Sequence, residues 1–334
     1  MSATATESQS NLVPKAGAVS AFWEAFCRAS GVPPTTPYQA WFFGDSPQLA
    51  HELVELVLNG PKRGTASSAW DNEQCPEAAP VPDGYSVVTE HDGTPRAVIR
   101  TVWLEPRALN EVDAQFAWDE GEGDRTLADW LDGHTRYFKR DCARTGRTFV
   151  PTFPVMLERF ELLYPFDRAL AVPDGPRIVP SYLPGAIGTV GRLHGEYYAR
   201  EHAFGVLFES KVTREFAELA ARFDPRFDGM WFVVDRGAIQ GSIVIDGHGS
   251  AGTAHLRWFI LSDSVRGRGQ GHRLMNAAMG FCRRAGHKRV YLNTFKGLDA
   301  ARALYEQAGF RLVAEKSGET WGQVVTEQRF EWDG

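Results

Sequence analysis

Residues 265–275 read VRGRGQGHRLM and stand directly before a segment with helical periodicity. Three glycines in this stretch alternate with Arg266, Arg268 and Gln270. Glycines at this density remove side chains from the backbone, so that another group can approach it closely. The unpaired N–H groups and the dipole of a helix N-terminus favour an anion such as a pyrophosphate. The stretch therefore predicts an anion-binding loop at the start of a helix.

Two common phosphate-binding loops do not fit this stretch. A Walker A loop requires GxxxxGK[ST], and no Lys-Ser or Lys-Thr pair follows here. A dinucleotide fingerprint requires GxGxxG early in a βαβ unit, whereas these glycines have a spacing of two and come after a run of strands. The predicted anion-binding loop therefore belongs to neither the Walker A type nor the dinucleotide-binding type.

The elements predicted around the loop define that fold. Hydrophobic periodicity predicts, in order, helices at about 188–203 and 207–222, a hairpin of MWFVVD and AIQGSIVID, the strand TAHLRWFIL, a helix at 272–286, the strand RVYLNTF, a helix at 298–308 and strands near 310–316 and 323–331. This order predicts an α/β domain with a mixed sheet.

At this point the chain resembles the GNAT acetyltransferase family over about residues 177–331. The family's acyl-CoA signature, Arg/Gln-x-x-Gly-x-Gly/Ala between its fourth strand and the next helix, is matched at every fixed position by residues 266–271. The later stretch FKGLDAARALYEQAGFRLV is similar to another segment of the family. The resemblance implies acetyl-CoA as cosubstrate, and it implies cofactor-binding roles for Phe259, Ile260, Leu261, Arg266, Gly267, Arg268, Gly269, Gln270, Gly271 and Asn293.

The reaction of an amine with a thioester defines the groups to look for. It needs a polarised carbonyl, a deprotonated amine and a protonated leaving sulfur. Backbone amides of LRWFIL suit the first task, and Tyr305 falls where many family members keep the general acid. For the base, His255 and Glu209 are candidates that match no fixed motif position. Tyr305 packed in the core and His255 as an ordinary sheet histidine are the alternative interpretations.

Direct transfer to a primary amine is the expected mechanism, because no cysteine stands in a glycine-flanked nucleophile turn. The acceptor could be a small metabolite, a nucleoside-like amine or a protein N-terminus. The segments HGEYYAREHAFG and KSGETWGQ are the expected determinants of acceptor choice.

The N-terminal half has a different arrangement of elements. Ser46 is placed to cap a helix that has Pro47 at its first position and ends at Gly60. YSVVTE and RAVIRTVWLE predict a hairpin, which is followed by a helix at about 125–143 and a strand near 155–164.

The stretch VLNGPKRGTASSAW, residues 57–70, places Lys62 and Thr65 on a turn after that helix. A lysine and a threonine near a carboxylate could form a nucleophile and base. Spacing alone favours the simpler interpretation, an exposed positive turn.

The segment resembles the ASCH domain, a PUA-like β-barrel with helices, over about residues 20–165. Gly60, Lys62 and Thr65 fill its Gly-x-Lys-x-x-Thr motif, and FAWDEGEGDRTLADWLDGHTRYF is similar to the acidic block of one subgroup. Members are associated with RNA binding, ribonuclease activity or removal of an acyl group from a modified cytidine. The resemblance implies catalytic roles for Lys62, Thr65 and a glutamate, for which Glu120 and Glu122 are best placed and Glu111 is a third candidate.

The acidic block narrows the ligand of this half. Five acidic residues between Asp113 and Asp124 would repel a phosphate backbone. They suit a small nucleoside, a metal ion or a cationic substrate better than a long RNA. The expected role of this half is to bind RNA, a nucleotide or a nucleoside. The alternatives are a hydrolase, a ligand-sensing module that regulates the transferase, or a scaffold.

Composition agrees with a folded protein of two domains. The chain has 334 residues, 43% hydrophobic and 23% charged, and its net charge of −6 argues against a general polyanion binder. Four scattered cysteines without ligand-spaced histidines predict no disulfide framework and no metal site. The N-terminus lacks an apolar region and no membrane span is evident, so a cytoplasmic location is expected.

These observations give four predicted segments. They are a disordered tail at 1–17, an ASCH-like domain at 18–165, a linker at 166–187 that is rich in proline, and a GNAT domain at 188–334.

Overall fold

The computed structural model describes residues 15–171 and 175–334, which divide into two compact units. Residues 15–26 and 35–169 belong to the first unit, and residues 27–34 and the described residues from 170 onward belong to the second. Residues 1–14 of the predicted tail lie outside the described ranges. Residues 16 and 17 differ from the prediction, because the first helix begins at Ala16.

The N-terminal part of the chain contains six helices and five strands among its described residues. In order they are α1 (Ala16–Ser30), β1 (Tyr38–Trp41), α2 (Pro47–Asn59), β2 (Gly64–Ser68), α3 (Ala69–Gln74), β3 (Tyr85–Thr89), β4 (Pro95–Ala108), a 3₁₀ turn at Leu109–Glu111, α4 (Ala114–Glu120), α5 (Leu127–Thr145), β5 (Pro154–Tyr164) and α6 (Phe166–Leu170).

The helix α2 confirms the predicted capping pattern. The Ser46 side chain accepts a hydrogen bond from the Leu49 N–H, Pro47 is the first helical residue, and the Gly60 N–H donates to the Leu56 carbonyl. This helix ends at Asn59, three residues before Lys62, so its C-terminus sets where that lysine enters the unit.

The first sheet has the strand order β1-β3-β4-β5-β2. β1 runs parallel to β3, and the remaining neighbours are antiparallel. Between the described strands no pairing joins β1 to β2, so a closed barrel remains a prediction. The sheet packs against α4 and α5 through Phe116, Phe138, Phe153 and Leu157, all of them buried.

The C-terminal part contains four helices and seven strands among its described residues. They are β6 (Arg177–Val179), α7 (Ala186–His202), α8 (Val206–Ala221), β7 (Gly229–Asp235), β8 (Ala238–Asp246), β9 (Thr253–Leu261), α9 (Gln270–Arg284), β10 (Arg289–Phe295), α10 (Asp299–Gln307), β11 (Arg311–Gly318) and β12 (Val325–Asp333).

The predicted linker at 166–187 differs from the structure. Its first residues form α6, and residues 177–179 form β6, which pairs with β7 at the edge of the second sheet. β6 contains none of the prolines of this segment, so they remove no hydrogen-bond donor from this short edge strand.

The second sheet has the order β11-β12-β10-β9-β8-β7-β6 and is mixed, as expected. Among the described pairs of this second sheet, only β9 and β10 are parallel neighbours. One face of this sheet buries α9 and α10 through residues that include Leu274, Ala278, Cys282 and Phe330. No helix in the described part of the chain combines the length and the apolar character that crossing a membrane requires.

Candidate active site

The parallel strands β9 and β10 pair only at their beginning. Three register pairs join them, the last of which is His255 with Tyr291. Beyond this point β9 contains Trp258, which has a φ of +47°, and its register with β8 shifts between Ser242 and Val244. The Ser242 hydroxyl donates to the Trp258 carbonyl at 2.6 Å. The bulge thus turns the second half of β9 away from β10.

A cavity of about 830 Å³ occupies the region where these strands separate. Its lining includes Phe259 from β9, Asn293 from β10 and Tyr305 from α10. This volume is within the range of small-molecule sites in proteins. The structure therefore brings together several of the residues that the sequence predicts for one site.

The glycine loop leads from β9 into α9. Gly267 and Gly269 have φ values of +70° and +74°, which disfavour other residues, and a Cβ at either would meet no atom within 4 Å. Gly269 is the N-cap residue of α9, and because glycine has no side chain, no side-chain hydrogen bond from this residue caps the helix start. Space and unpaired backbone donors therefore coincide at this helix end.

Two further positions of the loop have specific contacts. A Cβ on Gly271 would lie 2.9 Å from Leu304 Cδ1, so this glycine permits close packing of the helix start. Arg266 pairs with Asp263 at 2.8 Å, and its guanidinium carbon lies 4.2 Å from the centre of the Tyr197 ring. The Gln270 side chain is buried and accepts a hydrogen bond from Arg273 at 3.1 Å.

Tyr305 projects from α10 into apolar surroundings. The residue is 6% exposed, and its ring centre lies 6.1 Å from that of Phe259. Burial raises the pKa of its hydroxyl, because the charged phenolate is poorly solvated there. Tyr305 is therefore a neutral hydroxyl that can donate a proton or a hydrogen bond.

His255 is neutral for a related reason. Burial, and then the positive charge of Arg257, lower the pKa of its imidazole to about 3. Its ring stacks on Tyr291 with centres 4.3 Å apart, and its Nε2 lies 3.5 Å from Asn293 Nδ2. Such a group accepts hydrogen bonds but is a weak base. The other candidate, Glu209, is exposed and does not line the cavity.

Tyr198 is a lining residue to which the sequence assigns no individual role. It belongs to the segment HGEYYAREHAFG and lies on α7, with its ring centre 5.9 Å from that of Phe295. Burial raises the pKa of the Tyr198 hydroxyl, and the neighbouring Tyr305 raises it further. Only the packing of α7 against β9 and β10 brings these two hydroxyls near each other, so no local signal could identify the pair.

A second group of polar residues is buried in the first unit. Lys62 is 0% exposed, so the expected exposed turn is wrong. Its ammonium donates to Glu122 and lies 3.4 Å from Glu120 Oε1. Burial alone would lower the pKa of Lys62, but the two carboxylates outweigh it and raise the pKa. Lys62 is therefore an ammonium and not a free amine.

A glycine allows the acidic segment to approach this lysine. Gly121 has a φ of +73°, and a Cβ there would lie 2.7 Å from the Lys62 backbone nitrogen. The Arg63 N–H donates to the Asp119 carbonyl at 2.9 Å, which holds the two segments together. Glu111, the third candidate, lies in the 3₁₀ turn and makes no ion pair with Lys62 in the described residues.

Glu120 has two further partners on α5. The Trp130 indole N–H donates to its Oε2, and His134 Nε2 lies 3.6 Å from its Oε1. Burial would raise the pKa of Glu120, but Lys62 and His134 together lower it. The Trp130 and His134 rings are stacked with centres 3.9 Å apart. The cluster thus pairs buried charges of both signs.

Thr65 lies opposite Glu158 in the β2–β5 register, which places both side chains on one face of the sheet. Glu158 is 5% exposed, and its Oε1 accepts a hydrogen bond from the Thr101 hydroxyl at 2.5 Å. Burial raises the pKa of Glu158 to about 7. The sequence analysis missed this glutamate, because the adjacent Leu157 is buried as well and alternation along the strand gives no signal for Glu158.

Comparison with known proteins gives both units a family. Residues 39–164 match the model of the ASCH domain, and residues 196–310 match the model of the acetyltransferase (GNAT) family. The chain therefore contains an ASCH domain followed by a GNAT acetyltransferase domain, and it is an acyltransferase. Both predicted resemblances are confirmed.

Solved structures resemble one unit each. An ASCH domain from Lactobacillus crispatus is 28% identical and covers 44% of this chain and 95% of its own, with a TM-score of 0.41. An acetyltransferase from Streptococcus agalactiae is 18% identical and covers 48% and 99%, with a TM-score of 0.40. An acetyltransferase from Salmonella typhimurium, solved with acetyl-CoA, is 12% identical and covers 48% and 94%, with a TM-score of 0.39. A comparison with curated proteins found no match.

The buried charges around Lys62 give a first prediction. Lys62→Met should lower the free energy of unfolding of the first unit by about 3–5 kcal/mol, because Glu120 and Glu122 lose their cation. Adding Glu120→Gln should restore a large part of this loss, because the uncompensated buried charge disappears. Urea unfolding monitored by hydrogen exchange in peptides from β4 and β5 measures the first unit separately.

Lys139→Met is the matched control, because Lys139 is exposed on α5. It should change the free energy of unfolding by less than about 1 kcal/mol. Equal stabilities of Lys62→Met and Lys139→Met would contradict a buried ion cluster.

Glu158 gives a second prediction, on pH dependence. Since its pKa in the fold is about 7 and its ordinary value 4.5, the folded state keeps a proton that the unfolded chain releases between these pH values. Its contribution to stability is therefore full below pH 4.5 and is lost as the pH rises to 7. The free energy of unfolding of Glu158→Gln, taken relative to that of wild type, should therefore rise by on the order of 3 kcal/mol between pH 4.5 and 8.

The same hydrogen-exchange measurement, repeated across this pH range, checks the difference. Glu73→Gln, at an exposed glutamate of α3, should show no such rise. A constant difference between Glu158→Gln and wild type would rule out an elevated pKa at Glu158.

Proposed function

We propose that the second unit is an acetyl-CoA-dependent N-acetyltransferase that transfers the acetyl group directly to a primary amine. The observation that carries this proposal is the loop of Gly267 and Gly269, which leads from β9 to the uncapped start of α9. Its open space and backbone donors fit a pyrophosphate, and the family match supplies the reaction class. The proposed binding residues are those predicted above, from Phe259 to Leu261, from Arg266 to Gly271, and Asn293.

When bound, acetyl-CoA supplies the thioester whose acetyl group is transferred. Backbone N–H groups of β9 that no longer pair with β10 are positioned to polarise a carbonyl in the cleft. We assign to Tyr305 the protonation of the departing sulfur, since its hydroxyl is neutral and lines the cavity. His255 would accept a hydrogen bond from the amine. After the C–N bond forms the nitrogen becomes acidic, and the proton it loses replaces the one that Tyr305 gave to the departing sulfur.

The loop assignment gives a third prediction. Gly269→Asp should weaken acetyl-CoA binding at least about 10-fold more than Gly269→Asn, because only Asp adds a negative charge where the pyrophosphate approaches. The two residues are nearly equal in size, and both tolerate the positive φ of +74°. Titration calorimetry with acetyl-CoA measures the difference.

Acetyl-CoA should also raise the thermal midpoint of the wild-type second unit. Absence of stabilisation at millimolar acetyl-CoA would refute the acyltransferase proposal for this cavity. Equal affinities of the Asp and Asn variants would refute the assignment of the pyrophosphate to this loop, but not the acyltransferase proposal.

The acid gives a fourth prediction. Tyr305→Phe should lower kcat by about 100-fold or more and leave the Kd of acetyl-CoA nearly unchanged, because only the proton donor is lost. Free thiol release with an accepted amine measures kcat. Tyr182→Phe, at a tyrosine outside the cavity lining, is the control.

Tyr198→Phe completes this set, since Tyr198 also lines the cavity and lies close to Tyr305. If kcat fell in Tyr198→Phe but not in Tyr305→Phe, Tyr198 would be the general acid. Full activity in both variants would show that neither tyrosine is the general acid.

For the first unit we infer a binding role for a nucleoside or a short RNA segment, as its ASCH domain suggests. The observation that weighs against turnover is the state of Lys62, which is fully buried and held as an ammonium by two carboxylates. Hydrolysis of an N-acylated nucleoside is the second candidate, supported by Thr65, which faces the buried Glu158.

N-acylated cytidine is a suitable probe for both candidates. We expect saturable binding to wild type and its loss in the Lys62→Met, Glu120→Gln double variant. Release of the free acid would assign the hydrolase instead, and no binding at millimolar probe would leave the unit as a scaffold.

A further inference from the structure

The cavity of the second unit has a polar part, called the floor below, where β9 and β10 begin to separate. His255, Asn293 and Arg329 line it, and Asn293 and Arg329 are direct partners in the β10–β12 register. The Arg329 guanidinium carbon lies 4.0 Å from the centre of the Tyr291 ring, which also stacks on the His255 ring. Stacking thus holds the guanidinium and the imidazole in fixed planes.

Arg329 keeps donors available toward the cavity. Its Nε donates to Glu331 Oε1 at 2.8 Å, and within the described part of the chain its two terminal amino groups have no hydrogen-bond partner. Glu331 also lies 3.9 Å from Arg289, so one carboxylate serves two guanidinium groups. Arg289 has Asp333 as a second partner at 3.3 Å, whereas the terminal amino groups of Arg329 remain available to a ligand.

The other charged groups of the lining are more fully compensated. Arg257 contacts Glu215 and lies 3.7 Å from Asp246, and Lys211 donates to Glu215 at 2.6 Å. The remaining cation of the lining, Lys316, is largely exposed and lies 3.8 Å from Glu327. Arg329 is thus the cation of the lining whose planar donors best suit a carboxylate of a ligand.

A different part of the lining is aromatic. Tyr198, Phe208, Phe295 and Trp321 contribute to it, and the ring centres of Phe295 and Trp321 lie 5.8 Å apart. Rings of this kind bury a flat apolar body. The lining therefore combines one set of anion-binding donors with a large apolar surface.

We propose that the acceptor is an amino acid with an aromatic or apolar side chain, and that Arg329 and Asn293 bind its carboxylate. Its side chain packs on the aromatic part of the lining. This inference rests on the proposed function, because it names the substrate class of the same site.

Three compounds test the carboxylate directly: tryptophan, tryptophanamide and tryptamine. The amide keeps the size of the carboxylate without its charge, and its less basic amine favours it chemically. We expect kcat/KM for tryptophan to exceed that for tryptophanamide at least 10-fold, and Arg329→Gln to abolish the difference by lowering only the tryptophan value. The same order is expected with phenylalanine and leucine and their amides.

Two variants control the measurement. Arg329→Lys should retain part of the preference, because it keeps the charge but not the planar donors. Arg192→Gln, at an exposed arginine of α7 that pairs with Glu196, should retain all of it. An unchanged thermal shift with acetyl-CoA shows that each variant is folded.

Binding provides a readout independent of turnover. In calorimetry with the wild-type protein and CoA, tryptophan should bind at least 10-fold more tightly than its amide. If the protein binds acetyl-CoA but the amides or tryptamine are equal or better acceptors, or no amino acid binds or reacts, the inference is wrong while the proposed function stands. If acetyl-CoA itself does not bind, the proposed function fails first.

Discussion

β9 and β10 are parallel neighbours that pair over only three residues, and the cavity of the second unit lies where they separate. A sheet normally satisfies the backbone groups on both sides of an inner strand. Here the bulge at Trp258 releases the second half of β9 from β10 while the β8 pairing continues. The gap provides polar backbone edges for a ligand, and it opens the cavity onto which Asn293 and Tyr305 project.

Burial has opposite consequences in the two units. In the second unit it acts on Tyr305 and His255 without a counter-charge strong enough to oppose it, so both stay neutral. In the first unit it acts on Lys62 and Glu120, which lie beside each other and stay charged. A neutral buried hydroxyl can donate a proton, whereas the groups of the Lys62 cluster stay charged because opposite charges lie beside them.

Local patterns were sufficient for much of the fold. Ser46, Pro47 and Gly60 delimit α2 because capping depends on residues within one turn. The strands and helices from β7 to β12 follow from periodicity, since each buries one face. The short β1 and β6 were missed because a strand of three or four residues has too few positions to show alternation. Their pairing with β3 and β7 depends on distant residues. The burial of Lys62 was missed because its carboxylates lie 58 and 60 positions away.

The sequence by itself determined the two families and the glycine loop, since a motif of closely spaced residues is read from local order. It also determined which residue types could carry the chemistry. Only the tertiary structure decided their states and partners. It placed Glu158 opposite Thr65, it gave Lys62 two carboxylates, and it set Arg329 beside Asn293 at the floor of the cavity. The physical reason is that solvation and charge, which control pKa and recognition, depend on neighbours that the folded chain brings from far away.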